Sequence, residues 1–231
     1  MTVVVKAGRD RGLVIAIDGP SGAGKSTAGR IVATRLGYVF LDTGAMYRAL
    51  ALKALRARTP LDDGAALATL AADARIELRP DGGVTVDGED VTGALRTREV
   101  STAASQVSVH PAVRRVMVAR QQELGRRGGV VMDGRDIATA VFPDADLKFY
   151  VDADPAMRAV RRRDELREAG IEADLAAVER EIRERDHADS TRADSPLTRV
   201  PDAIHVDTSR MAMNEVVERM MAAVNETIRD R

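Results

Sequence analysis

Two hydrophobic rhythms alternate along this chain. Leu13 to Ile17, Tyr38 to Leu41, Val130 to Met132, Leu147 to Val151 and Ala203 to Val206 are short apolar runs, the pattern of strands buried on both faces. Between them apolar residues recur at helical spacing. Ala28, Ile31, Val32 and Leu36 follow the first run, and Thr43 reads as the N-cap of a helix through about Arg58. Val113, Val116, Met117 and Leu124 mark a helix over 112 to about 127, with Gly128-Gly129 as its C-terminal stop. Charged helices are expected over 155–169 and 174–186. Met213, Val216, Val217, Met220, Val224 and Ile228 form the stripe of a closing helix. The alternation predicts an α/β fold on a five-stranded parallel sheet.

One segment breaks the rhythm. After Pro60 come a helical stretch at 63–73 and strand-like pieces at 75–79, 84–86 and 90–91, separated by the turn signals Pro80-Asp81-Gly82-Gly83 and Asp87-Gly88. About 60 to 96 therefore reads as an antiparallel insertion, followed by a helix over 98–108.

Length and charge narrow the class. A chain of 231 residues with 45 % apolar content buries an ample core as one domain. A net charge of −1 argues against a general nucleic-acid binder, which needs surplus cations for the phosphate backbone. There is no cysteine, which excludes disulfides and thiolate chemistry and fits a reducing compartment. Thr2 to Val5 is too short and wrongly ordered for a signal peptide, and no run reaches membrane-spanning length. A cytoplasmic monomer is expected, since no long apolar helix is left over for a partner.

The chemistry concentrates behind the first strand. Gly19-Pro20-Ser21-Gly22-Ala23-Gly24-Lys25-Ser26-Thr27 has the spacing G-x-x-x-x-G-K-[ST] between a strand and a helix, the context of a phosphate-binding loop. Its glycines let successive N–H groups curl around an anion, and the following helix points its positive end at the same spot. Lys25 reaches the outer phosphates, and the Ser26 hydroxyl suits a Mg²⁺ ion. Asp133, closing a buried strand, suits a second position beside that ion, with Asp42 a weaker candidate. No guanine-reading segment and no transporter signature loop is present. Three readings stay open: a small-molecule kinase for a nucleotide, a kinase for a sugar or shikimate-like acid, and a regulatory ATP-binding module.

The stretches Ile17 to Thr27, Leu41-Asp42-Thr43-Gly44-Ala45-Met46-Tyr47-Arg48, Arg98-Glu99-Val100 with Ala104 to Val107, Asp133 to Ile137, Val141 to Ala145, and Glu184-Arg185-Asp186 leading to Arg192 resemble the bacterial cytidylate kinase family of nucleoside monophosphate kinases, in order from about 13 to 225. The resemblance implies a three-layer P-loop kinase. Its core would be about 12–59, 110–152 and 197–231, its enlarged monophosphate-binding region 60–109, and its mobile helical lid 153–196. It also implies transfer from ATP, with Mg²⁺, to CMP or dCMP. Arg48 and Arg135 would clamp the CMP phosphate, and Ser105, Arg114 and Asp136 would choose cytosine. A carboxylate only accepts hydrogen bonds, so it welcomes the cytosine amino group and repels the uracil oxygen. Arg185 and Arg192 would close over the transferring phosphates from the lid, Asp189 would touch the ribose, and Arg158 and Arg162 would flank the ATP. Blander readings stand beside these: an Arg135 pair with Asp133 or Asp136, Asp136 as a helix N-cap, Ser105 bonded back into its own helix, and an ion-paired surface helix around 181–192.

Overall fold

The computed structural model describes residues 12–79, 81–168 and 170–231. The opening Thr2 to Val5, Pro80 in the first turn signal and Ala169 at the end of a helix lie outside them. Five strands, β1 (Val14–Asp18), β2 (Val39–Asp42), β6 (Val130–Gly134), β7 (Leu147–Asp152) and β8 (Ile204–Asp207), form one sheet in the order β2-β6-β1-β7-β8. All four pairings are parallel, as the apolar runs predict. The register aligns Asp42 with Asp133 and Asp18 with Gly134, so three carboxylates meet along one edge of the sheet.

Side chains alternate across the sheet and fill both layers. Ile15, Ile17, Phe149, Val151 and Val206 pack against α1 (Lys25–Leu36) and α8 (Met213–Arg229). Val14, Ala16, Val130 and Met132 face the other way, onto Ile137, Val141 and Phe142. Burying these faces supplies the main driving force, at about 25 cal/mol per Å² of apolar surface. A second apolar cluster joins α2 (Thr43–Ala57), α3 (Gly64–Asp73), α4 (Arg98–Val107) and α5 (Pro111–Gly125). The expected insertion is an antiparallel sheet of β3 (Ile76–Leu78), β4 (Val84–Val86) and β5 (Glu89–Asp90). The helices α6 (Pro155–Glu168) and α7 (Leu175–Thr191) share a small core of their own around Ala159, Val178 and Ile182.

Several local expectations are corrected. The N-cap of α2 is Asp42, whose carboxylate accepts from the Ala45 amide at 2.8 Å. Thr43 is the first helical residue, and its hydroxyl donates to the Asp133 carbonyl. The helix α5 stops at Gly125, not at Gly128-Gly129. A Cβ at Gly125 would lie 2.6 Å from the Phe142 ring, so this glycine serves close packing. Leu124 is half exposed, and Gln121 takes the buried position on that helix instead. Ile228 is also outside the closing stripe. The helix α7 continues past Asp186 to Thr191, because no breaker stands between them and Asp174 caps its start.

Gly19 shows how the loop depends on its glycines. Its φ is +146°, and a Cβ there would lie 1.9 Å from the Val151 carbonyl oxygen. Gly19→Ala is expected to lower stability by about 3 kcal/mol or more, read as a shift of the chemical-denaturation midpoint. An unchanged midpoint contradicts the tight strand-to-loop exit.

Candidate active site

The phosphate-binding loop runs from the end of β1 to Gly24, which caps α1 in the left-handed region without a side-chain bond. The first-turn amides of α1 thus have no side-chain cap from that position and face the loop's hollow. The loop is braced from outside. The Thr208 hydroxyl donates to the Ala23 carbonyl at 3.0 Å, and Arg158 donates to the Ser21 carbonyl at 3.1 Å. Lys25 is buried and its Nζ donates to the Pro20 carbonyl at 2.7 Å. Burial, and then Arg135, hold its pKa well below the usual lysine range.

Beside the lysine stands Asp133. The Ser26 hydroxyl donates to its Oδ2 at 2.5 Å, while its Oδ1 is buried with no partner. Burial, and next the neighbouring Asp42, push its pKa up. A hydroxyl and a half-unpaired buried carboxylate are hard oxygen donors of the type Mg²⁺ prefers, so the residues present fit that ion.

Cations converge on the same hollow. Arg135, at the end of β6, donates through Nε to Asp189 at 2.8 Å. Its partner is therefore Asp189 of α7, rather than Asp133 or Asp136. Arg185 from α7 is partly buried, and its Nε is buried with no partner. Burial first, then Arg135, lower its pKa to about 10, with Arg48 and Arg162 acting in the same direction. Arg48 reaches back to Asp42 at 3.0 Å.

A second polar cluster adjoins the first. Arg114 and Asp136, both buried, are hydrogen-bonded to each other. Arg192 stands 3.7 Å from the other Asp136 oxygen and donates through Nε to the Ser195 carbonyl. It stands beside Asp136, whereas Arg185 stands beside Arg135, and the charges of both Arg185 and Arg192 act on Asp189. Tyr47 places its ring 5.9 Å from the Arg114 guanidinium. Its hydroxyl is buried without a partner, and burial pushes its pKa up to about 12. Asp136 gives no side-chain cap to the turn that follows it, so its N-cap reading is replaced by the Arg114 pair.

Three further expected site residues have local partners here. The Ser105 hydroxyl bonds back to the Ser101 carbonyl at 3.3 Å, the local option open to a mid-helix serine. Arg162 pairs with Glu165 at the surface, while Arg158 is held bidentate by Asp186 at 3.0 and 2.5 Å and acts as a brace.

Of the five buried side-chain polar atoms without a partner among the described residues, four lie in this region: Tyr47 Oη, Arg114 Nε, Asp133 Oδ1 and Arg185 Nε. Such atoms are rare in folded proteins and costly. Their clustering around converging cations marks a site built for polar, anionic guests. Residues 15–226 match the family model described as "Cytidylate kinase".

The chain belongs to the cytidylate kinase family.

It is 53% identical over 221 residues to "Cytidylate kinase" of Symbiobacterium thermophilum, covering 94% of this chain and 98% of that one. With the protein of the same description from Solibacter usitatus it shares 48% identity over 225 residues, 95% of each chain. Among the described residues no helix is long and apolar enough to cross a membrane.

Asp18 and Tyr47 are the residues of this cytidylate kinase site that motif reasoning passes over. Both stand inside the quoted stretches, and a buried aspartate ending a strand ahead of the loop is the one signal available. Asp18 accepts the amides of Ile137 and Ala138 at 2.8 and 2.7 Å. Burial still raises its pKa to about 6, with Asp136 and Lys25 the charged groups acting on it. A carboxyl whose folded pKa exceeds its unfolded one binds more protons when folded, so its contribution to stability falls as pH rises. The stability of the unsubstituted chain minus that of Asp18→Asn is expected to drop by about 3 kcal/mol between about pH 4 and pH 7. Denaturant titrations at several pH values check this; a difference that grows with pH contradicts it.

Proposed function

We propose that this chain transfers the γ-phosphoryl group of ATP to CMP and dCMP, giving ADP with CDP or dCDP, as a monomer in cytoplasmic pyrimidine nucleotide metabolism. The observation that carries the reading is the pairing of two polar hollows. One is a phosphate-binding loop crowded by the buried Lys25 and the partly buried Arg135 and Arg185. The other holds a buried carboxylate locked to Arg114.

The nucleophile is a phosphate oxygen of CMP, ionised at neutral pH. It attacks the γ-phosphorus as the bond to the β-bridging oxygen breaks, and ADP leaves with that electron pair. No side chain needs to take a proton, so alignment and charge supply the catalysis. Loop amides from Gly19 to Gly24, with Ser26 and Thr27, hold the ATP phosphates. Lys25, Arg135 and Arg185 face the migrating group, and Arg48 and Arg135 hold the CMP phosphate. Mg²⁺ would be held by Ser26 and Asp133 and supplies positive charge at the phosphate oxygens. Asp136, oriented by Arg114 and Arg192, accepts the cytosine amino group. Uracil presents an oxygen there, leaving a buried acceptor facing an acceptor. The independent small core of α6 and α7 supports treating 153–196 as the lid, with 60–109 as the monophosphate-binding region. Asp189 and Arg192 then tie the closed lid to the core.

Incubation with γ-labelled ATP and CMP is expected to place the label in CDP. Label recovered only as inorganic phosphate, or an acceptor such as a sugar or AMP preferred over CMP, overturns the reading.

A further inference from the structure

We infer that Asp18 is a positioning residue for the choice of acceptor base: from the end of β1 its carboxylate holds the turn behind Asp136 and so sets where the Asp136 side chain stands against Arg114. The inference rests on the functional reading above and deepens it.

Residues Ile137–Val141 form a single wide turn: the Asp136 carbonyl accepts from Thr139, Ala140 and Val141, and the bond from Phe142 N to the Ile137 carbonyl, 2.7 Å, spans five residues. Such turns are rarely stable alone. Their first amides need an acceptor, and the residue at the capping position is Asp136, a type well suited to the task. Yet Asp136 gives no side-chain cap. Its carboxylate is turned to Arg114, with Arg192 on the other oxygen. Asp18, more than a hundred residues earlier, fills the vacant role. Oδ1 accepts from Ile137 and Oδ2 from Ala138, two successive amides taken by the two oxygens of one carboxylate. The parallel register of β1 and β6, with Asp18 opposite Gly134, brings it there. One carboxylate therefore caps the turn so that the other is free to face the base.

A structural role alone would move all kinetic constants together. A positioning role has a narrower signature. Asp18→Asn replaces one acceptor oxygen with a donor, so one amide faces an N–H and the turn loosens. The KM for CMP is expected to rise about 10-fold, and the CMP-over-UMP ratio of kcat/KM to fall by about as much, with KM for ATP changed less than about 2-fold. In an Asp136→Asn background the same substitution is expected to leave the ratio unchanged, because it acts through Asp136. If Asp18→Asn does not fold, Ala138→Pro removes one of the two amide donors and leaves Asp18 in place; the same loss of ratio is expected. A CMP-selective enzyme whose ratio ignores these substitutions, or whose double variant shows additive losses, overturns this inference alone. An unsubstituted enzyme indifferent between CMP and UMP overturns the functional reading and this inference with it.

Discussion

Replacing Lys25 with methionine is expected to lower kcat by about 10³-fold, equivalent to about 4 kcal/mol of transition-state stabilisation, without loss of thermal stability. The ammonium group is bonded to the Pro20 carbonyl of the loop; in the proposed function the loop amides hold the phosphates, so its distinct contribution falls on charge that grows as the phosphoryl group moves. In the unliganded fold the same group costs stability. It is buried, beside Arg135, and its pKa is held below the usual range. A neutral side chain of similar length relieves that cost while filling the space. Steady-state kinetics and a melting curve on one preparation separate the two effects. A kcat within about 10-fold of the unsubstituted value contradicts the assignment. So does a loss of activity that tracks unfolding.

Arg135→Ala is expected to lower kcat by about 10³-fold and to raise KM for CMP, with KM for ATP less affected. The guanidinium donates to Asp189 on one side and lies near Lys25 and Arg185 on the other. In the proposed function its removal takes away the fork for the acceptor phosphate, and it leaves Asp189 largely buried without its partner. Arg135→Lys keeps the charge but not the fork. It is expected to recover part of the KM effect and little of kcat, since a single ammonium cannot hold two oxygens in plane. A loss confined to KM for ATP contradicts this placement.

The parallel sheet and the loop were legible because both rest on local pattern. Five apolar runs each gave a strand, and the glycine spacing between strand and helix admits few other uses. The antiparallel insertion was readable for the same reason, through its turn residues. Pairings between distant charges were not. The chain carries 35 basic and 36 acidic residues, and nothing local ranks Asp189 above Asp133 or Asp136 as the partner of Arg135. Only the placement of α7, which brings Asp189 to Arg135, decides that. Thr43 and Asp42 are both capping types in adjacent positions, and the strand register decided between them by placing Asp42 opposite Asp133. The stripe on α5 failed at Leu124 for a tertiary reason: the buried face runs through Val113, Met117, Gln121 and Gly125, where Phe142 packs, and Leu124 stands outside that face. Asp18 was hidden most completely, since its role exists only where β1 meets the turn behind Asp136.

The account depends on a single buried carboxylate choosing the acceptor's base. The direct measurement is kcat/KM for CMP and for UMP, in the unsubstituted enzyme and in Asp136→Asn. The account predicts strong preference for CMP, lost in the variant because CMP turnover falls far more than UMP turnover. Equal losses for the two acceptors, or an unsubstituted enzyme that prefers AMP or dTMP, would contradict it.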